Sequence, residues 1–320
     1  MNEPRVLVTG GAGFIGSAVA TRFAAAGQAV RVLDDLSTGH SEYCAPTWEL
    51  FVGDIADTDA LDAAVAGCNV VAHLAAFVSV PASFERRAEC DRTNVEGTRQ
   101  LVAACLRHGV RKLVFASSCS VYAQDGEDPK HEDQAPGPDS PYAESKLAGE
   151  RLLAETDLPS VALRFFNVYG PRQRAGSGYA AAVPNFIRAA LAGEPLTVYG
   201  DGRQSRDFVY VGDVAEAVFQ AAQQEATGMF NVGTGAATEI ARLAENIAQL
   251  AGQGSSLRFE PARPGDMRLA TANVTRIETA LAWRATRALE QGLGETLAWW
   301  RTQPAYHQAA TSSRPTAAKP

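Results

Sequence analysis

No apolar run in this sequence approaches the roughly 18 residues that a membrane-crossing helix needs. No block of like charge is present either: the net charge of −7 and the sequence pI of about 5.4 arise from acidic and basic residues scattered along the chain. The first absence excludes a helical membrane protein, and the second argues against a nucleic-acid surface. Cysteine is scarce, and Cys44, Cys68, Cys90, Cys105 and Cys119 show neither CxxC spacing nor a neighbouring histidine cluster. Reduced thiols in a cytosolic protein fit that set better than a disulfide framework, and no metal site is expected. By Arg5 the chain enters a strand-like run with no basic stretch leading into an apolar one, so no signal peptide and a cytoplasmic location are expected. What is present is ordinary. Of 320 residues, 46% are hydrophobic and 20% charged, enough to build a full core in two lobes.

The first 120 residues alternate strand and helix signals. Arg5 to Thr9 reads as a buried strand and runs into Gly10-Gly11-Ala12-Gly13-Phe14-Ile15-Gly16, followed by an Ala-rich helical stretch ending at Gly27. Glycines at 10, 13 and 16 allow a tight turn, close approach of backbone to a pyrophosphate, and a helix start whose N–H groups face the phosphate charge. The next strand, Ala29 to Leu33, ends in Asp34-Asp35, 18 residues after Gly16. A carboxylate there accepts hydrogen bonds from ribose hydroxyls and repels a 2′-phosphate, favouring NAD over NADP. Further strands are expected at Trp48 to Val52, Val70 to Ala76 and Arg111 to Ala116, with helices at Asp57 to Ala66 and Asp91 to Arg107. His73, at the end of a buried strand, reads as a satisfied core group and not as a catalyst.

This alternation predicts an α/β fold with a doubly wound parallel sheet, whose ligands sit at the carboxyl ends of the strands. Ser117 and Ser118 lie at such an end. Gln124 to Asp139, rich in Asp, Pro and Gly, is expected to be an exposed loop. Beyond it, Ser140 can cap and Pro141 can begin a helix carrying Tyr142 and Lys146. Residues four apart share a helix face, so the ammonium of Lys146 can stabilise a Tyr142 phenolate and make it a usable base. Residues 1–169 are expected to form the dinucleotide domain, with 206–232 returning to it. Residues 170–302 would form a smaller, discontinuous α/β lobe containing helices at Thr238 to Leu250 and Ala288 to Arg301, and 303–320 a frayed tail.

Several stretches together resemble one family. They are Thr9 to Gly16, Asp34-Asp35-Leu36-Ser37-Thr38-Gly39, His73-Leu74-Ala75-Ala76, Asn94-Val95-Glu96-Gly97-Thr98, Pro141 to Lys146, Arg164 to Arg172 and Arg206 to Val211. Their residues and order are similar to those of the extended short-chain dehydrogenase/reductases that modify nucleotide sugars, with a Rossmann domain, bound NAD and a UDP-sugar substrate. The resemblance implies Tyr142 as acid/base, Lys146 on the nicotinamide ribose, and Ser118, four residues before Tyr122 in Ser-Ser-x-x-Val-Tyr, on the reacting hydroxyl. It implies cofactor contacts from Gly10, Gly13, Phe14, Ile15, Gly16, Asp34, Asp35, Ser37, Thr38 and Gly39. Asp54, Ile55, Leu74, Ala75, Ala76, Asn94 and Phe166 join that set.

Which reaction the resemblance favours depends on residues that are missing. Similar 4,6-dehydratases carry an Asp-Glu pair after the catalytic Ser/Thr, where this chain has Cys119 and Ser120; similar decarboxylases place Glu at the Ser120 position. C4 epimerisation is the simplest chemistry left. Substrate contacts are implied for Ser79, Ser118, Ser120, Tyr142, Asn167, Arg206, Arg263 and Asp266. Ala270 stands where epimerases of non-acetylated sugars have a bulky tyrosine, leaving room for an N-acetyl group. A homodimer packed through the 91–107 and 141–155 helices is implied as well. The alternatives are a UDP-uronic acid 4-epimerase, a nucleotide-sugar reductase, or a binding protein that has lost catalysis.

Overall fold

The computed structural model describes residues 5–124, 128–175, 182–252, 254–262 and 269–303. The chain runs β1 (Arg5–Thr9), α1 (Phe14–Ala25), β2 (Ala29–Asp34), β3 (Glu49–Val52), α2 (Thr58–Val65), β4 (Val70–His73), α3 (Val80–Glu85) and α4 (Arg87–Asp91). A π-helical turn, Arg92–Glu96, leads into α5 (Gly97–Arg107), then β5 (Lys112–Ser118), α6 (Pro141–Ala154), β6 (Ser160–Phe165) and β7 (Asn167–Tyr169). There follow α7 (Ala182–Ala192), β8 (Leu196–Tyr199), β9 (Ser205–Tyr210), α8 (Val211–Gln223) and β10 (Gly228–Val232). The chain ends in β11 (Ala237–Glu239), α9 (Ile240–Ala251), β12 (Leu257–Glu260), β13 (Leu269–Ala270), α10 (Thr275–Leu281) and α11 (Leu289–Arg301).

It divides into two compact units, the first made of residues up to 168 with 207–236 and 270–286, the second of 169–206, 237–269 and the stretch from 287. In the first unit a seven-stranded sheet has the order β10-β6-β5-β4-β1-β2-β3, with every neighbouring pair parallel. The strands are apolar on both faces because both faces are covered. Val19, Ala20 and Phe23 of α1 and Val214, Val218 and Ala221 of α8 lie in the core on one face. On the other, Leu61 and Val65 of α2, Leu101 and Cys105 of α5 and Leu153 of α6 pack beside Leu7, Val71 and Leu113. The expected doubly wound parallel sheet is present, and the order of strands reverses between β1 and β4, where such sheets take their ligands.

In the second unit β8 and β12 pair in parallel, Leu196 facing Leu257. Val183 and Ile187 of α7, Leu243 and Ile247 of α9, and Leu293 and Leu297 of α11 are buried at helical spacing. Gly252 ends α9 in the left-handed conformation that glycine adopts without strain.

Four expectations are corrected. The region 91–107 is not one regular helix, because the π turn widens it where the Asn94 side chain reaches the Phe77 peptide. The described part of the 124–139 segment, 124 and 128–139, is irregular but not simply exposed: Lys130 and Glu132 are buried. Their surroundings satisfy the backbone, since Lys130 N donates to Thr271 O at 2.8 Å and Lys130 O accepts from the Asn231 amide at 2.8 Å. The helix expected from Thr238 begins only at Ile240, after the short strand β11. Finally, 270–286, expected in the second lobe, belongs to the first unit.

Candidate active site

At the end of β1, Gly10 turns the chain with φ +69° and donates to Leu33 O at 2.8 Å. A Cβ at Gly10 would stand 2.7 Å from Ala75 N, and one at Gly16 only 2.0 Å from Gly10 O, so both positions need glycine for close backbone approach. Gly13 is the N-cap of α1 and provides no side-chain cap, which leaves the first N–H groups of the helix to a ligand. Asp34 sits beside this turn, 7% exposed, its Oδ2 accepting from Ala12 N and its Oδ1 from Leu36 N, each at 2.9 Å. Burial pushes this carboxyl above the usual carboxylate range, while the two N–H groups act in the opposite direction. Asp35 Oδ1 accepts from the N–H and hydroxyl of Ser37, and His40 N donates to Ala12 O, so the stretch through Thr38 and Gly39 is tied beside the glycine turn. A bare helix N-terminus, close-packed glycines and a carboxylate at the end of β2 fit a dinucleotide; no metal or other group is needed to explain them.

The neighbouring strand ends complete this rim. Asp54, after β3, accepts from Ala56 N at 2.8 Å and pairs with Arg92, while Ile55 is buried against Gly97. β4 stops at His73, earlier than expected, and Leu74 and Ala75 continue alongside β1, bonding Thr9 through their N–H groups, with Ala76 following. Asn94 is a brace: its amide bonds both backbone groups of Phe77 and also Ser145 Oγ at 2.9 Å. Ser79 caps α3 by accepting from Ala82 N, and Phe166 is buried with its N–H on Val232 O.

Helix α6 carries the titratable pair. Ser140 Oγ accepts from Ala143 N at 3.2 Å and Pro141 occupies the first turn, as the local sequence predicts. The Tyr142 phenol faces the Ser118 hydroxyl at the end of β5, and its backbone N–H donates to Ser83 Oγ at 3.2 Å. Burial pushes the phenol up to about 12, and the Ser118 hydroxyl pulls the other way. One turn on, Lys146 is 4% exposed and donates to Ala116 O at 2.9 Å, its Nζ lying 5.9 Å from the Tyr142 ring centroid. Burial lowers this ammonium to about 8. Ser118 Oγ accepts from Ser120 N at 3.2 Å, and Ser120 Oγ is buried with no hydrogen-bond partner among the described residues. A neutral phenol with a hydroxyl on one side and a cation close behind can exchange a proton with an alcohol once further positive charge is bound beside it.

His73 is closed off, as its sequence context predicts. Its Nδ1 meets Thr9 Oγ1 at 2.7 Å and its Nε2 meets Thr98 Oγ1 at 2.9 Å, and burial lowers it to about 3.

The residues assigned to the sugar nucleotide are less gathered. Asn167 donates weakly to Asp207 O at 3.4 Å, Ala270 is buried in β13, and Arg206 belongs to the second unit, where its guanidinium donates to Ser205 O. Arg263 and Asp266 lie outside the described residues. Sequence reasoning missed Asp207, whose carboxylate accepts from Thr234 N, Thr234 Oγ1, Gly235 N and Ala272 N within the first unit. It also missed the buried Glu150–Arg164 pair. The available signals were the place of Asp207 and Arg164 inside recognisable motifs and the spacing of Glu150 four residues beyond Lys146.

A strand, glycine turn and helix beside a Tyr-x-x-x-Lys pair, its lysine buried and its tyrosine partly exposed, define an enzyme of the nucleotide-linked dehydrogenase class. More narrowly, the chain belongs to the NAD dependent epimerase/dehydratase family, whose model matches residues 6–233. It is 39% identical over 314 residues to a UDP-glucose 4-epimerase of Mycolicibacterium smegmatis, covering 93% of this chain and 99% of that protein. A UDP-N-acetyl-alpha-D-glucosaminuronate decarboxylase of Bacillus cytotoxicus is 35% identical over 318 residues, covering 93% and 98%. A solved UDP-N-acetylglucosamine 4-epimerase of Methanobrevibacter ruminantium M1, in complex with UDP-N-acetylmuramic acid, is similar with a TM-score of 0.90 and 34% identity, covering 94% and 99%. The family uses NAD, and more than one reaction occurs among these relatives.

Proposed function

We propose that the protein is an NAD-dependent C4 epimerase of UDP-hexoses, acting on UDP-glucose/UDP-galactose, UDP-GlcNAc/UDP-GalNAc, or both. The observation that carries this reading is the Ser118–Tyr142–Lys146 arrangement followed by Cys119 and Ser120, with no carboxylate in either of those positions. The chemistry that bound NAD supplies is reversible hydride exchange with C4 of the sugar. Tyr142 takes the C4 hydroxyl proton and later returns it, Ser118 orients that hydroxyl, and Lys146 holds the developing phenolate by its charge. The 4-keto sugar turns over before the hydrogen is returned to its opposite face. Gly10, Gly13 and Gly16 cradle the pyrophosphate, and Asp34 receives the adenosine ribose.

On the sugar-nucleotide side, Asn167, Arg206, Arg263 and Asp266 grip UDP, and the small Ala270 admits an N-acetyl group. The same reading includes a cytoplasmic homodimer. The decarboxylase among the relatives supports a second reading, a uronic acid substrate, against which stands the serine at position 120. A proton NMR time course of the purified protein, with UDP-GlcNAc and then UDP-glucose, tests the assignment. Inversion at C4 with no net change in NADH absorbance is expected; consumption of added NADH would identify a reductase and sink the proposal.

A further inference from the structure

Three residues of α6, spaced four apart, meet three successive residues at the end of β5. Tyr142 faces Ser118, Lys146 bonds Ala116 O, and Ser117 Oγ donates to Glu150 Oε1 at 2.5 Å. Arg164, the register partner of Ser117 on β6, donates to both Glu150 oxygens through Nε at 2.8 Å and Nη2 at 2.7 Å. Both side chains of that ion pair are 2% exposed. Behind it the guanidinium lies 4.8 Å from the Tyr122 ring centroid, and Tyr122 donates to Asn231 Oδ1 at 2.7 Å, anchoring the pair to β10.

Resting on the functional reading of Tyr142 and Lys146, we propose that Glu150, held by Arg164 and Ser117, is a positioning residue for the same reaction: it keeps the Lys146 ammonium charged and holds the end of β5 against α6. A buried ion pair is costly to desolvate and is weak evidence for stability alone. Its place, one turn behind a buried ammonium, gives it a chemical role.

The groups facing Lys146 are Tyr142 and Glu150 on its own helix, Cys90 from α4 and His73 from β4. Burial keeps the Cys90 thiol and the Tyr142 phenol protonated near neutrality, and His73 is neutral there. Glu150 is therefore the carboxylate that opposes desolvation of Lys146.

The chain has four lysines, Lys112, Lys130, Lys146 and Lys319, so NMR of lysine-labelled full-length protein follows each one, with Lys146→Arg to assign the signal. In Glu150→Gln the Lys146 midpoint is expected to fall by about one pH unit. With NAD and UDP-sugar, kcat near pH 8 is expected to drop by about tenfold or more while KM stays within about threefold. Because Glu150→Gln leaves Arg164 buried and uncompensated, Glu150→Gln/Arg164→Met provides a neutral pair in case the single variant does not fold. In that protein the midpoint should still lie below the wild-type value, since the carboxylate one helical turn from Lys146 has gone. A wild-type midpoint in either folded variant overturns the proposal. Absence of UDP-sugar turnover in the wild type would sink the functional reading and not this one, which the titration of the protein alone decides.

Discussion

Two titratable clusters lie near the ring of Phe115 on β5, one built around His73 on β4 and the other around Tyr142 and Lys146 on α6. The His73 ring stands 5.6 Å from that ring, and Lys146 Nζ stands 5.1 Å from it. Both clusters are desolvated, yet they are built differently. His73 has a threonine hydroxyl on each ring nitrogen and is held neutral. The Tyr142 cluster keeps capacity in reserve: a partly exposed phenol, a serine beside it, and Ser120 Oγ without a partner among the described residues. A strongly perturbed pKa is common to both, so perturbation alone does not separate a structural group from a reactive one. Unused hydrogen-bonding capacity does.

Substitutions on either side sharpen this contrast. Tyr142→Phe should lower kcat by about a thousandfold with little change in KM, as NMR-monitored turnover would show; a loss of only a few fold would make the two clusters alike. Gly16→Ala places a methyl against Gly10 O and should weaken NAD binding by about a hundredfold, read by calorimetry and by the lost thermal stabilisation.

His73 should matter to stability and not to rate. The unfolded chain protonates this imidazole near 6.5 and the folded one only near 3, so protons favour the unfolded state between those values. Its contribution is therefore lost as pH falls through that window, by about 1.4 kcal/mol per pH unit, and that share of the slope should be missing from denaturant melts of His73→Leu. The kcat of that variant should stay within about fivefold of wild type. The smallest effect on UDP-glucose turnover is expected from Ala270→Tyr, which should leave it nearly intact while abolishing turnover of N-acetylated sugars. Equal loss on both pairs would remove the gate.

Much of the first unit was legible because its signals are local. Short apolar runs closed by glycine, aspartate or small residues mark the strands, Ser140-Pro141 marks the start of α6, and the Tyr142–Lys146 spacing sets one helix face. Where reading failed, the cause was tertiary. The Asp/Pro/Gly composition of 124–139 was read as exposure, but Lys130 is buried by Asn231, Thr271 and Asn273, which lie far along the chain. Asn94 looks like one polar residue in a helix until Phe77 and Ser145 are brought to it. Glu150 and Arg164 are far-apart charges in the sequence, and the pairing that permits their burial forms only where α6 packs against the sheet.

The central claim is that the open cluster exchanges a proton with oxygen while the C4 hydrogen stays within the site. The most direct measurement is epimerisation of the UDP-sugar in D2O, followed at the C4 proton by NMR. The account predicts inversion at C4 with the original hydrogen retained in the product. Deuterium appearing at C4 as the product forms would contradict it.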